Sequence, residues 1–66
     1  VRKEVWHAKY DPESKLYVFR RRGVMIIADR YEVGLTSVDL YFGGILVGYI
    51  STVFNRIVWL DGRELE

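Results

Sequence analysis

His7 is the only histidine in this 66-residue chain, and there is no cysteine. Hydrolytic chemistry by a Ser-His-Asp arrangement needs a nucleophile, an oriented base and a cavity. Ser14, Ser37 and Ser51 have no motif around them, and Gly-x-Ser-x-Gly is missing. One histidine among scattered carboxylates gives no metal-ligand spacing, and without thiols no zinc-thiolate site can form. Gly43-Gly44 is followed by neither the lysine nor the helix that a phosphate-binding loop requires. The expectation is a protein that is not an enzyme and holds no cofactor or metal.

The residues that invite a function are cationic and aromatic. "LYVFRRRG" (16–23) alternates apolar and aromatic side chains and then places Arg20, Arg21 and Arg22 together. A guanidinium grips phosphate bidentately and stacks on rings. Lys3, Lys9 and Lys15 add positive charge along the same segment, and Tyr10 and Tyr17 are candidates for stacking against bases. Residues 1–22 hold seven cations against three carboxylates, a net +4. Residues 23–66 hold three cations against six carboxylates, a net −3. A nearly neutral molecule, +1 overall, can thus carry a basic face. Nucleic-acid binders of this size are usually more basic than that. The glycine–aromatic order of the ribonucleoprotein motif in RNA-recognition domains is not matched. The competing reading of the arginines is a solvated strand end that deters edge-to-edge aggregation.

The elements that carry these side chains have a period of two. "EVWHAKY" (4–10) puts Trp6, Ala8 and Tyr10 on one face. "LYVFRR" (16–21) puts Tyr17, Phe19 and Arg21 on one face. "DPESK" (11–15) is turn chemistry, so the two runs predict a hairpin. Aligned across it, those faces would form either a core or a stacking platform. "VMIIA" (24–28), after the break at Arg22-Gly23, predicts a strand buried on both sides, and 29–34 extends it. "TSVDLYF" (36–42) alternates clearly. Gly43-Gly44 predicts a two-residue turn into a long strand over 45–54, bulged or bent at Gly48. Asn55-Arg56 predicts a tight turn into a fifth strand over 57–60. After Asp61-Gly62, "RELE" either pairs briefly or frays. Phe42, Phe54 and Trp59 are expected in the core. Tyr41 and Tyr49, read as lying across the Gly43-Gly44 hairpin from each other, are candidates for an interface or a cross-strand pair.

The resulting fold class is all-β: a single domain over 1–66, built as a small antiparallel barrel or roll of five to six strands. By analogy of architecture it is SH3-like or OB-like. Sixty-six residues bury only ~60% of the unfolded surface, so tight packing or self-association must compensate. The chain lacks glutamine, and Asn55 is its only side-chain amide. That composition suits a thermostable protein. Residues 40–54 carry no charge, and Gly44 and Gly48 stand in a G-x-x-x-G relation. Fifteen residues are too few for a helical span of ~20, so a membrane is not an expected partner. The sequence opens at Val1, as a processed, trimmed or excised chain would. No secretory signal pattern opens it, and a cytoplasmic location is expected. Function is therefore expected to be binding. Nucleic acid, RNA or DNA, is the first partner; protein–protein interaction or homo-oligomerisation is the alternative.

Overall fold

A computed structural model describes residues 3–65; Val1, Arg2 and Glu66 lie outside them, including the Arg2 charge counted above. The chain is all-β. Its strands are β1 (Glu4–Asp11), β2 (Leu16–Arg21), β3 (Val24–Ala28), β4 (Arg30–Val33), β5 (Ser37–Phe42), β6 (Ile45–Ser51) and β7 (Asn55–Trp59). One sheet has the order β3-β2-β1-β7 and the other β4-β5-β6. No helix among the described residues is long and apolar enough to cross a membrane.

Several expectations are corrected. Among the described residues there are seven strands rather than five or six, and no ladder joins the two sheets into a closed barrel. The pairing is not wholly antiparallel, because β7 lies parallel to β1, Trp6 opposite Ile57. Residues 29–34 do not simply prolong β3. Asp29 breaks the strand: its N–H donates to the Tyr41 carbonyl and its carboxylate accepts the Gly43 N–H, both at 2.9 Å. That anchors the chain to β5 and sends β4 into the second sheet. Nor is β3 buried on both sides. It is the edge of its sheet, with Val24, Met25 and Ile27 exposed and only Ala28 fully covered. The turn expected at Asn55-Arg56 lies instead at Thr52–Phe54, so β6 ends at Ser51. Asn55 opens β7, donating its amide to the Ser51 carbonyl and accepting the Trp6 indole N–H at 3.1 Å.

The first hairpin forms as the alternation requires, with Ala8 opposite Phe19 and Tyr10 opposite Tyr17. The Asp11 carboxylate organises its loop by accepting the Glu13 N–H and the Ser14 hydroxyl. These two contacts, the backbone one first, hold the Asp11 carboxyl below its ordinary value. A depressed folded-state pKa stabilises above the unfolded value and is lost as pH falls through the folded one. The advantage of Asp11 over an Asp11→Asn variant is therefore expected to be complete at neutral pH. It should vanish well below the unfolded aspartate value of about 3.9, as read from urea midpoints of both chains at the two pH values.

Gly43 and Gly44 adopt φ of +60° and +80°, the left-handed pair that a two-residue hairpin turn demands. One bulge follows. Leu40 pairs with Gly48 but Tyr41 with Leu46, leaving Val47 as the extra residue. This is the irregularity the sequence suggested near Gly48. A single inserted residue flips every later side chain to the opposite face. Ile50 consequently turns inward opposite Val38, and Tyr49 turns outward opposite Asp39. Tyr49 and Tyr41 are thus not direct cross-strand partners, since Tyr41 faces Leu46.

The inward faces of both sheets meet at Trp6, Ala8, Phe19, Ala28, Val38, Leu40, Ile50 and Ile57. Trp59 packs half-buried against this cluster. Phe42 and Phe54 do not join it: Phe54 sits in the β6–β7 turn and is 71% exposed, while Phe42 ends β5 at the hairpin tip. Of the two outcomes left open for "RELE", a brief pairing is found, as a bridge from Val58 to Glu64 and a Leu65 N–H to the Ile57 carbonyl.

Candidate nucleic-acid interface

The aligned aromatic faces of β1 and β2 are core at their centre, capped by Arg21 over the buried Trp6 at one end, and open at the loop end. Ala8 and Phe19 are fully buried between them. At the loop end, the Tyr10 and Tyr17 rings pack at a tilt of 46° with centroids 4.7 Å apart. Tyr31 of β4 meets Tyr17 edge-on at 5.0 Å, and Trp59 of β7 lies 6.1 Å from Tyr17 and 6.2 Å from Tyr31. These four rings line an open groove of about 500 Å³, with Lys9, Leu60, Asp61 and Arg63 on its rim. Partial burial pushes the Tyr17 hydroxyl above its ordinary pKa, with Tyr31 and Tyr10 adding to the shift, so Tyr17 itself is uncharged at neutral pH. Arg63 pairs with Asp61 at 2.7 Å. Its backbone N–H and then its guanidinium hold that carboxyl below the ordinary range.

The arginine triplet does not form one surface. Alternation sends Arg20 to the outer face of the four-stranded sheet, between His7 on β1 and Met25 on β3. Lys9 and Val18 lie beside it on that face, and a shallow hollow of about 340 Å³ runs across them. Arg21 points to the opposite face. Its guanidinium covers the Trp6 ring at 5.4 Å and stands 3.5 Å from the Glu4 carboxylate. Arg22 occupies the β2–β3 turn at φ +41° with Gly23 at +80° and reaches the same carboxylate oxygen at 4.0 Å. Lys3, His7 and Arg56 complete a second groove around Glu4, of about 630 Å³.

The eight residues expected to meet nucleic acid therefore fall into four places. Lys9, Tyr10 and Tyr17 share the aromatic groove. Arg20 adjoins Lys9 on the outer face. Lys3, Arg21 and Arg22 gather at the far end of the hairpin. Lys15 stands apart in the β1–β2 loop at φ +60°. Sequence reading missed Tyr31, Trp59 and Arg63 as groove residues. They come from β4, β7 and the turn after β7, and only the fold brings them beside β1 and β2. Of the interface candidates, Tyr49 is 66% exposed. Tyr41 lies under Arg30 at 4.1 Å, its hydroxyl 3.4 Å from Glu32.

Among the described residues, no group of three or more His, Cys, Asp or Glu side chains is placed to hold a metal ion. No protein-family profile, curated protein or solved structure matches the chain.

Proposed function

We propose that this chain is a non-catalytic binding module that takes single-stranded nucleic acid, RNA or DNA, into the aromatic groove. The observation that carries the reading is the convergence of Tyr10, Tyr17, Tyr31 and Trp59 in one open groove beside Lys9 and Arg63. Aromatic faces accept bases of any sequence, and neighbouring cations attract the backbone that joins them. The rim chemistry selects among ligands for aromatic grooves. With Arg63 paired to Asp61, the rim keeps the single net positive charge of Lys9, which disfavours a quaternary ammonium and favours an anionic ligand. From the groove, Lys9 and Arg20 continue a basic track over the outer face. For the architecture we propose an open relative of the SH3-like or OB-like kind. The supporting feature is the β3–β4 path, which bends at Asp29 from one sheet to the other.

The test is binding of labelled mixed-sequence single strands and duplex at two salt concentrations. The affinity for single strands should fall with salt, at about 0.7 in log–log slope per phosphate contact. Replacing Lys9 and Arg20 together with serine is expected to reduce that slope by roughly 1.4. An affinity indifferent to salt overturns the reading.

A second reading, a self-associating module, is favoured by a different observation. Ile45, Leu46, Val47, Tyr49, Val53 and Phe54 are all exposed, in a stretch without charge from Leu40 to Asn55. Exposed apolar surface on that scale marks an interaction site, here bordered by Asp39 opposite Tyr49. β6 is also an open sheet edge. Sedimentation velocity across a wide concentration range decides it, and a strict monomer at the highest concentration removes it.

A further inference from the structure

We infer that the groove around Glu4 is an oxyanion site for a phosphate group, filled in the free chain by the Glu4 carboxylate itself. Ion-pair geometry within the molecule makes the case. Arg30–Glu32, Arg56–Glu64 and Arg63–Asp61 each close to 2.7 Å. At Glu4 two guanidiniums converge on one oxygen, Oε2, yet stay 3.5 and 4.0 Å away. Neither distance is that of a charge-assisted hydrogen bond, which runs ~2.7–2.9 Å. The donors are correspondingly under-used: the Arg21 Nε is buried and has no partner, and the Arg22 side chain is 81% exposed. Glu4 cannot approach as a rigid unit. Its backbone is held in β1, with its N–H on the Phe54 carbonyl and its Cα opposite Asn55. A phosphate is free of that tether and offers more acceptor oxygens. It can enter the groove of about 630 Å³ and meet the Nη edge of Arg21 and the fork of Arg22, with Lys3 and Arg56 on the wall.

Removing the internal competitor should therefore strengthen binding, the reverse of what loss of a structural salt bridge would do. Inorganic phosphate is titrated into the chain and followed through the Nε–H resonances of Arg21 and Arg22. Glu4→Gln is expected to bind about five- to tenfold more tightly, the effect of deleting one charge ~4 Å away in a solvated site. Arg22→Asn, which keeps a residue suited to positive φ, should weaken binding several-fold and leave the amide spectrum folded. Equal or weaker phosphate binding by Glu4→Gln overturns the inference, as does an Arg22→Asn variant that binds normally.

The inference deepens the nucleic-acid reading and rests on it for a strand as the source of phosphate. Oligonucleotides with and without a 5′-phosphate separate the sources. A 5′-phosphate that adds affinity in the parent chain but not in Arg22→Asn assigns a strand end; no such gain assigns the free ion. Strand binding with no phosphate response overturns this site alone, and a phosphate response with no strand binding overturns the nucleic-acid reading alone.

Discussion

Phe19→Ala is expected to leave the chain largely unfolded at 25 °C. Phe19 is fully buried on β2, opposite Ala8 on one side and Ile26 on the other. Its ring meets Tyr31 of the second sheet edge-on, 6.2 Å between centroids. It therefore links both sheets as well as the three strands of its own. Truncating a buried phenylalanine costs about 3–5 kcal/mol, part lost transfer energy and part cavity. A core of this size, without disulfide or metal, rarely supplies more than about 3–5 kcal/mol in total. Both neighbours across the ladder are already committed, and Ala8 cannot expand to fill the space. Phe19→Leu retains most of the volume and should keep a cooperative urea transition at a lower midpoint. A Phe19→Ala chain with the parent midpoint would show that the sheets hold together by other contacts.

Tyr10→Ala is expected to weaken single-strand binding by about 5- to 150-fold, the range for one lost base–aromatic stack of ~1–3 kcal/mol. Tyr10 is the ring of the groove best suited to this test. At 43% exposure it belongs to the surface, whereas Tyr17, Tyr31 and Trp59 also pack against the core. Stacking needs the ring and not the hydroxyl, so Tyr10→Phe should bind as the parent does. Tyr49→Ala, on the remote outer face of the second sheet, should also leave binding intact. Anisotropy titrations with one labelled oligonucleotide compare all three variants. If Tyr10→Ala binds normally, the groove has no part in recognition.

Local chemistry in the sequence was enough to read most of the elements, though not the break at Asp29 or the end of β6, and not how they assemble. Alternation in "EVWHAKY" and "LYVFRR" marks the first hairpin and the faces that align across it, because a one-residue slip would turn Ala8 and Phe19 away from the core. Gly43-Gly44 and Arg22-Gly23 mark their turns for the reason that glycine accepts positive φ. The apolar run "VMIIA" misleads, since five consecutive hydrophobic residues look alike in a central strand and on an uncovered edge. Nothing local marks the parallel pairing of β7 with β1, which joins residues some fifty positions apart. Nothing local locates Tyr49 either. One extra residue at Val47 decides its face, and Gly48 announces a bulge without saying which side chains it turns outward.

The candidate site divides along the same line. Lys9, Tyr10 and Tyr17 are legible because they share one hairpin. Tyr31 and Trp59 become partners only when β4 and β7 converge on that hairpin's end. The arginine triplet reads as a unit in the sequence, but pleating places Arg20 and Arg21 on opposite faces, and Glu4 occupies Arg21 and Arg22.

The most direct measurement of the central claim is a two-dimensional amide and indole spectrum recorded during titration with a short single strand. The Trp59 indole and the amides of Lys9, Tyr10, Tyr17 and Tyr31 are expected to shift progressively, while those of Ile45, Tyr49 and Phe54 stay in place. A spectrum that does not change, or one whose changes map to the β5–β6 hairpin instead, would contradict it.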